Sequence, residues 1–427
     1  MIALLTRPYA DFARRSPDLA VLARGLAAYG GGEIATRAVR IVAIVVIARH
    51  VDAVELGTAA LALSLFELVR VLANAGIGQR IIAAADAELD AVCVRAAQLF
   101  WFWCAAVAGV QLSVAGVLWA GFALPVPAAM LAVLALVYLI MPPGLVQVFL
   151  LMRDGRLAVT ARNATAQTIC DHILTMLLAA LWPSAWAIVL PKLMTAPLWT
   201  ILTRRARPWR CPTGIEPAPL ASFMRYGAGV LGSELGAAAR AQLGNLVVGA
   251  TLGIKALGLF YFAFGAGLGI TASFVSAFTI VLFPHLCAAR GPDEIARRTR
   301  RGMAFGLAAM LPVILAQVLL APFYVPILFG AHWAEAAPLV SLLGLGALPL
   351  VAGAAMTAAL RASRRTGLDA AISLASAAAA IGGLWLGSGH GLDGAAMGYV
   401  AGLALVVVPA ALILAWPRRP VPAEAAV

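Results

Sequence analysis

Long apolar runs constrain the fold of this sequence more than any other feature. A helix that crosses a bilayer needs about 20 largely apolar residues. By that criterion the chain has about twelve candidate spans, at residues 26–48, 57–83, 97–121, 124–151, 159–182, 184–203, 224–250, 257–284, 303–328, 335–360, 367–387 and 391–416. Backbone polar groups inside hydrocarbon must be satisfied within the segment, so these runs predict helices. The predicted fold class is an all-α, polytopic integral membrane protein.

The composition excludes several other classes of protein. Hydrophobic residues make up 63% of the chain and charged residues 12%, whereas an ordinary globular chain is about a quarter charged. A soluble enzyme, a disordered protein and a secreted disulfide scaffold are therefore excluded. The 5 cysteines are scattered without a CxxC pair, which favours apolar packing over a redox or metal site. No cofactor and no metal are expected.

The distribution of positive charge predicts the topology. The formal net charge is +12, and Lys and Arg collect in the cytoplasmic loops of membrane proteins. With the N-terminus inside, the inner segments hold most of the arginines, while the outer loops hold only Arg49 and Lys255. We therefore predict that both termini are cytoplasmic. Because topology accounts for the surplus, no nucleic-acid partner is expected.

A short internal duplication indicates two related halves. ARHVDAVELGTAALALS (48–64) resembles GATLGIKALGLFYFAFG (249–265), and LLMRDGR (150–156) resembles AALRASRR (358–365). Six predicted spans per half give the halves the same orientation, and a cleft between such halves can open to each side in turn. The pattern predicts two pseudo-symmetric lobes around a central cavity, which points to transport. The predicted boundaries are an N-terminal lead-in at 1–24, lobes at 25–205 and 224–416, a linker at 206–223 and a tail at 417–427.

Charged residues inside the predicted spans are the candidate functional residues. A charge at membrane depth costs at least about 2.5–3.5 kcal/mol, so each needs a partner or a wet cavity. Helical spacing places Glu33, Arg37 and Arg40 on one face of the first span. The same spacing places Glu67 and Arg70 on one face of the second span.

These charges have two interpretations. Glu33 with Arg37, and Glu67 with Arg70, could be structural pairs that neutralise each other. Alternatively, a surplus of cations lines a cavity for an anionic substrate, because arginine forks bind phosphate with two hydrogen bonds. The predicted cationic cavity consists of Arg37, Arg40, Arg70, Lys192 and Arg240, with Glu33 and Glu67 as partner acids.

Three further residues are candidates for ion coupling: Asp171, His172 and Glu234. Histidine changes charge near neutral pH, and a carboxyl group away from water binds a proton more readily than one in water. The alternative is that Asp171 and His172 form a polar pair bonded to neighbouring helices. The sequence contains no HExxH, GxSxG or Walker motif. We therefore do not expect an enzyme.

The order of several motifs resembles the polysaccharide transporter family, the oligosaccharide flippases of the multidrug/oligosaccharidyl-lipid/polysaccharide flippase superfamily. FGAHWAEAAP (329–338) and ALGLFYFA (256–263) are the most specific of these motifs. The other resembling stretches are ARHVDAVELGTAALALS (48–64), NAGIGQRII (74–82), RPWRCP (207–212), residues 225–265, VLFPHL (281–286) and LRASRRT (360–366).

The resemblance implies export of an oligosaccharide repeat unit linked to undecaprenyl pyrophosphate across the bacterial inner membrane, by alternating access. It implies membrane lipids, a polysaccharide polymerase and chain-length or export components as partners, and a proton or sodium gradient as the energy source in some members. The family's cationic cavity maps onto Arg37, Arg40 and Arg70. Many relatives carry an Asp in the seventh span where this sequence has Gly244. If that Asp serves coupling, either Glu234 replaces it here or coupling is different.

Two alternatives remain beside this function. A multidrug or toxin extruder of the same superfamily would need a cavity for organic cations, with unpaired acids in place of surplus arginine. A membrane polysaccharide polymerase would need a large outer loop with catalytic groups, and every predicted outer loop here is short.

Overall fold

A computed structural model of the protein describes residues 36–73, 76–223, 242–287, 289 and 291–415. Within these ranges every regular element is a helix, which confirms the predicted all-α class. The helices of the first half are α1 (36–50), α2 (Ala53–Arg70), α3 (Ile77–Ile82), α4 (Leu89–Phe122), α5 (Pro125–Leu134), α6 (Leu136–Ile140), α7 (Pro142–Arg153), α8 (Leu157–Leu181) and α9 (Ala185–Ala206). Those of the second half are α10 (242–252), α11 (Ile254–Cys287), α12 (Pro292–Phe329), α13 (Ala337–Leu345), α14 (Ala347–Ala362), α15 (Thr366–Gly387) and α16 (Gly391–Ala415).

The lengths of these helices make the chain a multi-pass membrane protein. In the described ranges, 7 helical segments are long and apolar enough to cross a membrane, or 8 when one bent pair counts as a span. Parts of the first, second, seventh and twelfth predicted spans lie outside the described residues, and the lead-in at 1–24 and the tail at 417–427 lie there entirely. The count of twelve therefore stays a prediction.

One of these segments, Gly367–Leu414, is 48 residues long and is in fact a helical hairpin of α15 and α16. A Cβ atom added to Gly383 would lie 2.1 Å from the carbonyl oxygen of Gly398, and one added to Gly387 would lie 2.1 Å from that of Gly394. The paired positions step in opposite directions along the chain, so the two helices are antiparallel with their backbones in contact. The segment therefore accounts for the last two predicted spans, as small residues allow such close approach.

The fourth predicted span is broken. Pro125–Ile140 and Pro142–Arg153 meet at an angle of 55°. Pro142 and Pro143 lack backbone N–H groups and crowd the preceding turn, which is a common cause of sharp kinks. The break therefore follows from the sequence MPPG at residues 141–144.

The chain divides into two compact units by its internal contacts. The first comprises Met1–His50 and Leu65–Ala238, and the second Val51–Ser64 and Ala239–Val427. Helix α2 contributes residues to both units. The predicted lobes at 25–205 and 224–416 assign all of α2 to the first lobe, and those boundaries stay a prediction.

Each unit has its own apolar core. In the first unit, side chains from α3, α4 and α7 form one cluster that includes Ile81, Phe100 and Leu150. In the second unit, side chains from α11, α12, α14 and α16 form another, which includes Met310 and Val351. Burial of these helix faces leaves the opposite faces of the long helices for lipid.

Ion pairs between loops agree with the predicted grouping of loops on each side of the membrane. Arg153 Nη2 lies 2.5 Å from Asp86 Oδ1 in the first unit, and both residues are in predicted inner loops. Lys255 Nζ lies 2.8 Å from Glu335 Oε2 in the second unit; Lys255 is in a predicted outer loop, and Glu335 begins the tenth predicted span at its outer end. Which of the two sides faces the cytoplasm stays a prediction.

Candidate functional site

Most of the predicted site residues that the structure describes belong to one charged cluster in the first unit. The cluster is built from four helices that are separate in sequence, and we refer to it as the unit 1 charged cluster. Helix α1 contributes Arg40, α2 contributes Glu67 and Arg70, α8 contributes Asp171 and His172, and α9 contributes Lys192.

Glu67 and Arg70 form an ion pair along α2. Arg70 donates from Nε to Glu67 Oε2 at 2.7 Å, and its Nη2 lies 2.7 Å from the same oxygen. This spacing of three residues is the one that the sequence predicted to place them on one face. The Arg70 side chain is 50% exposed, so the guanidinium can be reached from outside the packed core while it is paired.

Asp171 and Lys192 join α8 to α9 by a longer contact. Lys192 Nζ lies 3.9 Å from Asp171 Oδ2, and the two side chains are 31% and 16% exposed. The other carboxylate oxygen, Asp171 Oδ1, is buried and has no hydrogen-bond partner among the described residues. A buried acceptor without a partner is costly, so this oxygen is suited to bind a proton, a water molecule or a ligand.

His172 lies among charges from three helices. Electrostatic interactions connect its ring with Asp171, with Arg40 of α1 and with Lys192 of α9. Asp171 in turn interacts with Glu67 of α2. A change of charge at Asp171 or His172 therefore changes the electrostatic interactions of the cluster residues around it, because Coulomb interactions are strong where water is scarce.

The remaining predicted residues have different positions. Arg37 is half-buried on α1 and takes part in interactions of its own. Glu33, Glu234 and Arg240 lie outside the described residues. Gly244, where many relatives carry an Asp, lies in α10, and a Cβ atom there would be 3.8 Å from a Leu384 methyl group.

Tyr138 is a member of the site that the sequence analysis missed. It is fully buried in α6, its ring centroid lies 5.8 Å from that of Phe66, and its hydroxyl has no hydrogen-bond partner in the described part of the chain. It interacts electrostatically with Arg70 and Glu67. A tyrosine beside the MPPG break of an apolar span was the available signal, since a broken span marks binding sites in transporters.

The two most specific sequence motifs have a packing role in the second unit. Trp333 is fully buried, and its ring stacks on Phe262 with centroids 4.2 Å apart. Phe329 contacts the same Phe262 ring edge-on at 4.9 Å. FGAHWAEAAP and ALGLFYFA therefore pack against each other, and such aromatic contacts stabilise the fold beyond the area they bury.

With the fold and the charged cluster described, the class is a multi-pass α-helical membrane protein. A family described as polysaccharide biosynthesis protein matches residues 46–338. This chain belongs to that family. Among curated proteins, no sequence match was found.

Solved structures show the same fold at low sequence identity. An inward-facing multidrug resistance MATE family transporter of the MOP superfamily is 16% identical with a TM-score of 0.70, covering 88% of this chain and 93% of its own. The lipid II flippase MurJ in an inward closed conformation is 9% identical with a TM-score of 0.71, covering 90% and 86%. A MOP superfamily transporter from Pyrococcus furiosus is 15% identical with a TM-score of 0.51, covering 91% and 92%.

Proposed function

We propose that the protein is a flippase that moves an oligosaccharide repeat unit, linked to undecaprenyl pyrophosphate, across the bacterial inner membrane. The unit 1 charged cluster, in a chain of the polysaccharide biosynthesis family, is the observation that carries this proposal. Its cations are Arg40, Arg70 and Lys192. The fold is shared with a lipid II flippase, which supports a lipid-linked cargo. Both termini are then cytoplasmic, and a polymerase and chain-length or export components act on the product.

The unit 1 charged cluster is best suited to bind the pyrophosphate group of such a cargo. Arginine forks bind phosphate oxygens with two hydrogen bonds. Glu67 and Asp171 neutralise Arg70 and Lys192 while no cargo is bound. Cargo therefore competes with internal carboxylates, which keeps binding weak enough for release on the other side.

Alternating access is the mechanism that we propose for translocation. Coupling to a proton through Asp171 and His172 is supported by Asp171 Oδ1, which is buried without a partner among the described residues. Protonation of Asp171 would free Lys192 for cargo, and loss of the proton would restore the pair. The chemistry is binding and release, so no covalent step is required.

The first experiment separates a cargo-binding arginine from a structural one. Arg70→Ala removes the cation, while the double substitution Glu67→Arg with Arg70→Glu keeps an ion pair on the same face but moves the cation by one turn. We expect both variants to lose export of surface polysaccharide at equal protein abundance, with Arg300→Gln, an exposed arginine of α12, as the control. If the charge swap restores export, the pair is structural and the cargo contact at Arg70 is wrong.

The second experiment tests the class of substrate. Purified protein in liposomes is given a fluorescent oligosaccharide pyrophosphate lipid, and in parallel an organic cation dye. Flipping of the lipid without transport of the dye is expected. Transport of the dye alone would instead identify a multidrug extruder and overturn the proposal.

The same liposomes test proton coupling. Asp171→Asn is expected to remove the effect of an imposed pH gradient on the rate of lipid flipping. An unchanged effect of the gradient would exclude Asp171 from coupling.

A further inference from the structure

Four arginines lie at one end of the α8–α9 hairpin without carboxylate partners. All four are exposed, and in the described ranges none lies within ion-pair distance of an acid: Arg156, Arg162, Arg204 and Arg205. Arg156 donates from Nη1 to the carbonyl oxygen of Ala206 at 3.1 Å. This bond joins the start of α8 to the end of α9, so the four arginines lie at the same end of the hairpin. We call it the hairpin arginine surface.

Neighbouring arginines on the same side of the first unit are neutralised. Arg153 pairs with Asp86 at 2.5 Å, and Arg207 pairs with Asp154 at 3.0 Å. The acids Asp86 and Asp154 are therefore present in these loops, but they pair with Arg153 and Arg207 and not with the arginines of the hairpin surface. Within the described ranges, by contrast, the arginines of the hairpin surface have no acidic side chain within ion-pair distance.

The surface directly beside these arginines is apolar. Leu157, the first residue of α8, is 60% exposed, and Ile201 of α9 is 47% exposed. Only 11% of the most apolar window of α8 is buried within the described structure. A cationic end above an exposed apolar flank matches the two parts of a phospholipid, the headgroup and the acyl chains.

We propose that the hairpin arginine surface binds the phosphate headgroups of anionic phospholipids of the adjoining leaflet. Guanidinium groups bind phosphate oxygens as a bidentate fork, and Arg156 has Nη2 and Nε left for this after its bond to Ala206. Leu157 and Ile201 contact the acyl chains. The site anchors the hairpin that carries Asp171, His172 and Lys192, so bound lipid stabilises the helices of the charged cluster.

Purified full-length protein in a neutral detergent tests this site with phosphatidylglycerol as the probe. Lipid binding is read by native mass spectrometry and by the rise in melting temperature. One variant carries Arg→Gln at the four hairpin positions. Its control carries Arg→Gln at Arg300, Arg301, Arg364 and Arg365, which are exposed arginines of the second half and give the same change in net charge.

We expect the hairpin variant to bind phosphatidylglycerol at least about tenfold more weakly, since each basic residue near an anionic surface adds several-fold to affinity. The control should bind as the unaltered protein does, and phosphatidylcholine should bind weakly to all three. Equal losses in both variants would show attraction by net charge only and overturn the site, as would equal binding of phosphatidylcholine. Competition by inorganic phosphate at similar concentration would identify free phosphate as the ligand and exclude the lipid.

A second variant is used if the Gln variant unfolds. Arg→Lys substitutions at the same four positions keep the charge but remove the guanidinium fork. Unchanged affinity of the Lys variant for phosphatidylglycerol would contradict the proposal.

Discussion

Gly57 of α2 and Gly258 of α11 bring the starts of these two helices into backbone contact. A Cβ atom added to Gly57 would lie 1.9 Å from the carbonyl oxygen of Ile254, and one added to Gly258 would lie 1.8 Å from that of Ala53. Each glycine therefore meets the residue four positions before the other glycine. This reciprocal contact has local two-fold symmetry, and its residues are the ones that the internal duplication aligns.

Any side chain at Gly57 must push α2 away from α11. We expect Gly57→Ala and Gly258→Ala each to destabilise the protein, with a cost of about 1–3 kcal/mol that is typical of overpacking. The measurement is the melting temperature in detergent. Gly109→Ala and Gly116→Ala in α4 are the controls, because a Cβ atom at either position has no neighbour within 4 Å. Equal melting temperatures for all four variants would show that the close contact does not form.

The duplication illustrates what the sequence could and could not predict. The alignment of Leu56-Gly57 with Leu257-Gly258 is visible in the sequence, and α2 and α11 begin at the matching residues Ala53 and Ile254. That these glycines touch is a property of helix packing, which no local pattern reports. The spacing of residues along the sequence shows which side chains share a face of one helix. It does not show which faces of different helices pack against each other.

The same limit applies to the charged cluster. The pairing of Glu67 with Arg70 followed from their spacing on one helix. The contact between Asp171 and Lys192 joins two helices, and the sequence analysis had not paired these residues.

The length of α12 shows a different limit of the sequence analysis. Hydropathy identified only the apolar part of this helix, at 303–328, whereas the helix runs from Pro292 to Phe329. A helix can continue beyond the bilayer with polar residues, which hydropathy does not detect.

A second prediction concerns two adjacent glycines of α15. A Cβ atom at Gly383 would lie 2.1 Å from the carbonyl oxygen of Gly398, while a Cβ atom at Gly382 has no neighbour within 4 Å. Alanine has a better helix propensity than glycine by about 0.8–1.0 kcal/mol. Gly382→Ala is therefore expected to raise the melting temperature slightly or leave it unchanged, and Gly383→Ala to lower it by several degrees. A rise for both variants would contradict the close packing of α15 on α16.

A third prediction concerns Arg153, which was predicted only as a charge of an inner loop. Its Nη1 donates to the carbonyl oxygens of Ile81, Ile82 and Ala84 at the end of α3, and its Nη2 pairs with Asp86. The Arg153 side chain is 18% exposed, whereas Asp86 is 97% exposed. The bonds to the carbonyl groups should therefore matter more than the ion pair.

We expect Arg153→Ala to destabilise the first unit by about 1–3 kcal/mol, because it removes the charged donor that the carbonyl groups at the end of α3 share. Asp86→Ala should change stability by less than about 1 kcal/mol, as is usual for exposed ion pairs. Hydrogen exchange of the α3 amides reads the effect locally. Faster exchange in the Asp86 variant than in the Arg153 variant would mean that the ion pair, and not the capping of α3, holds this segment.

A fourth prediction concerns the hydrogen bond from Asn245 Nδ2 of α10 to Ser64 Oγ of α2, which is 3.0 Å long with both residues buried. Among the described residues, Ser64→Ala leaves the Asn245 amide nitrogen with the 3.4 Å contact to Gln242 Oε1. Hydrogen bonds between membrane helices average about 0.6 kcal/mol. In a double-mutant cycle with Ser64→Ala and Asn245→Ala, the double variant should therefore be more stable than the sum of the single effects by about that amount. Additive losses in unfolding experiments would mean that the bond contributes nothing to stability.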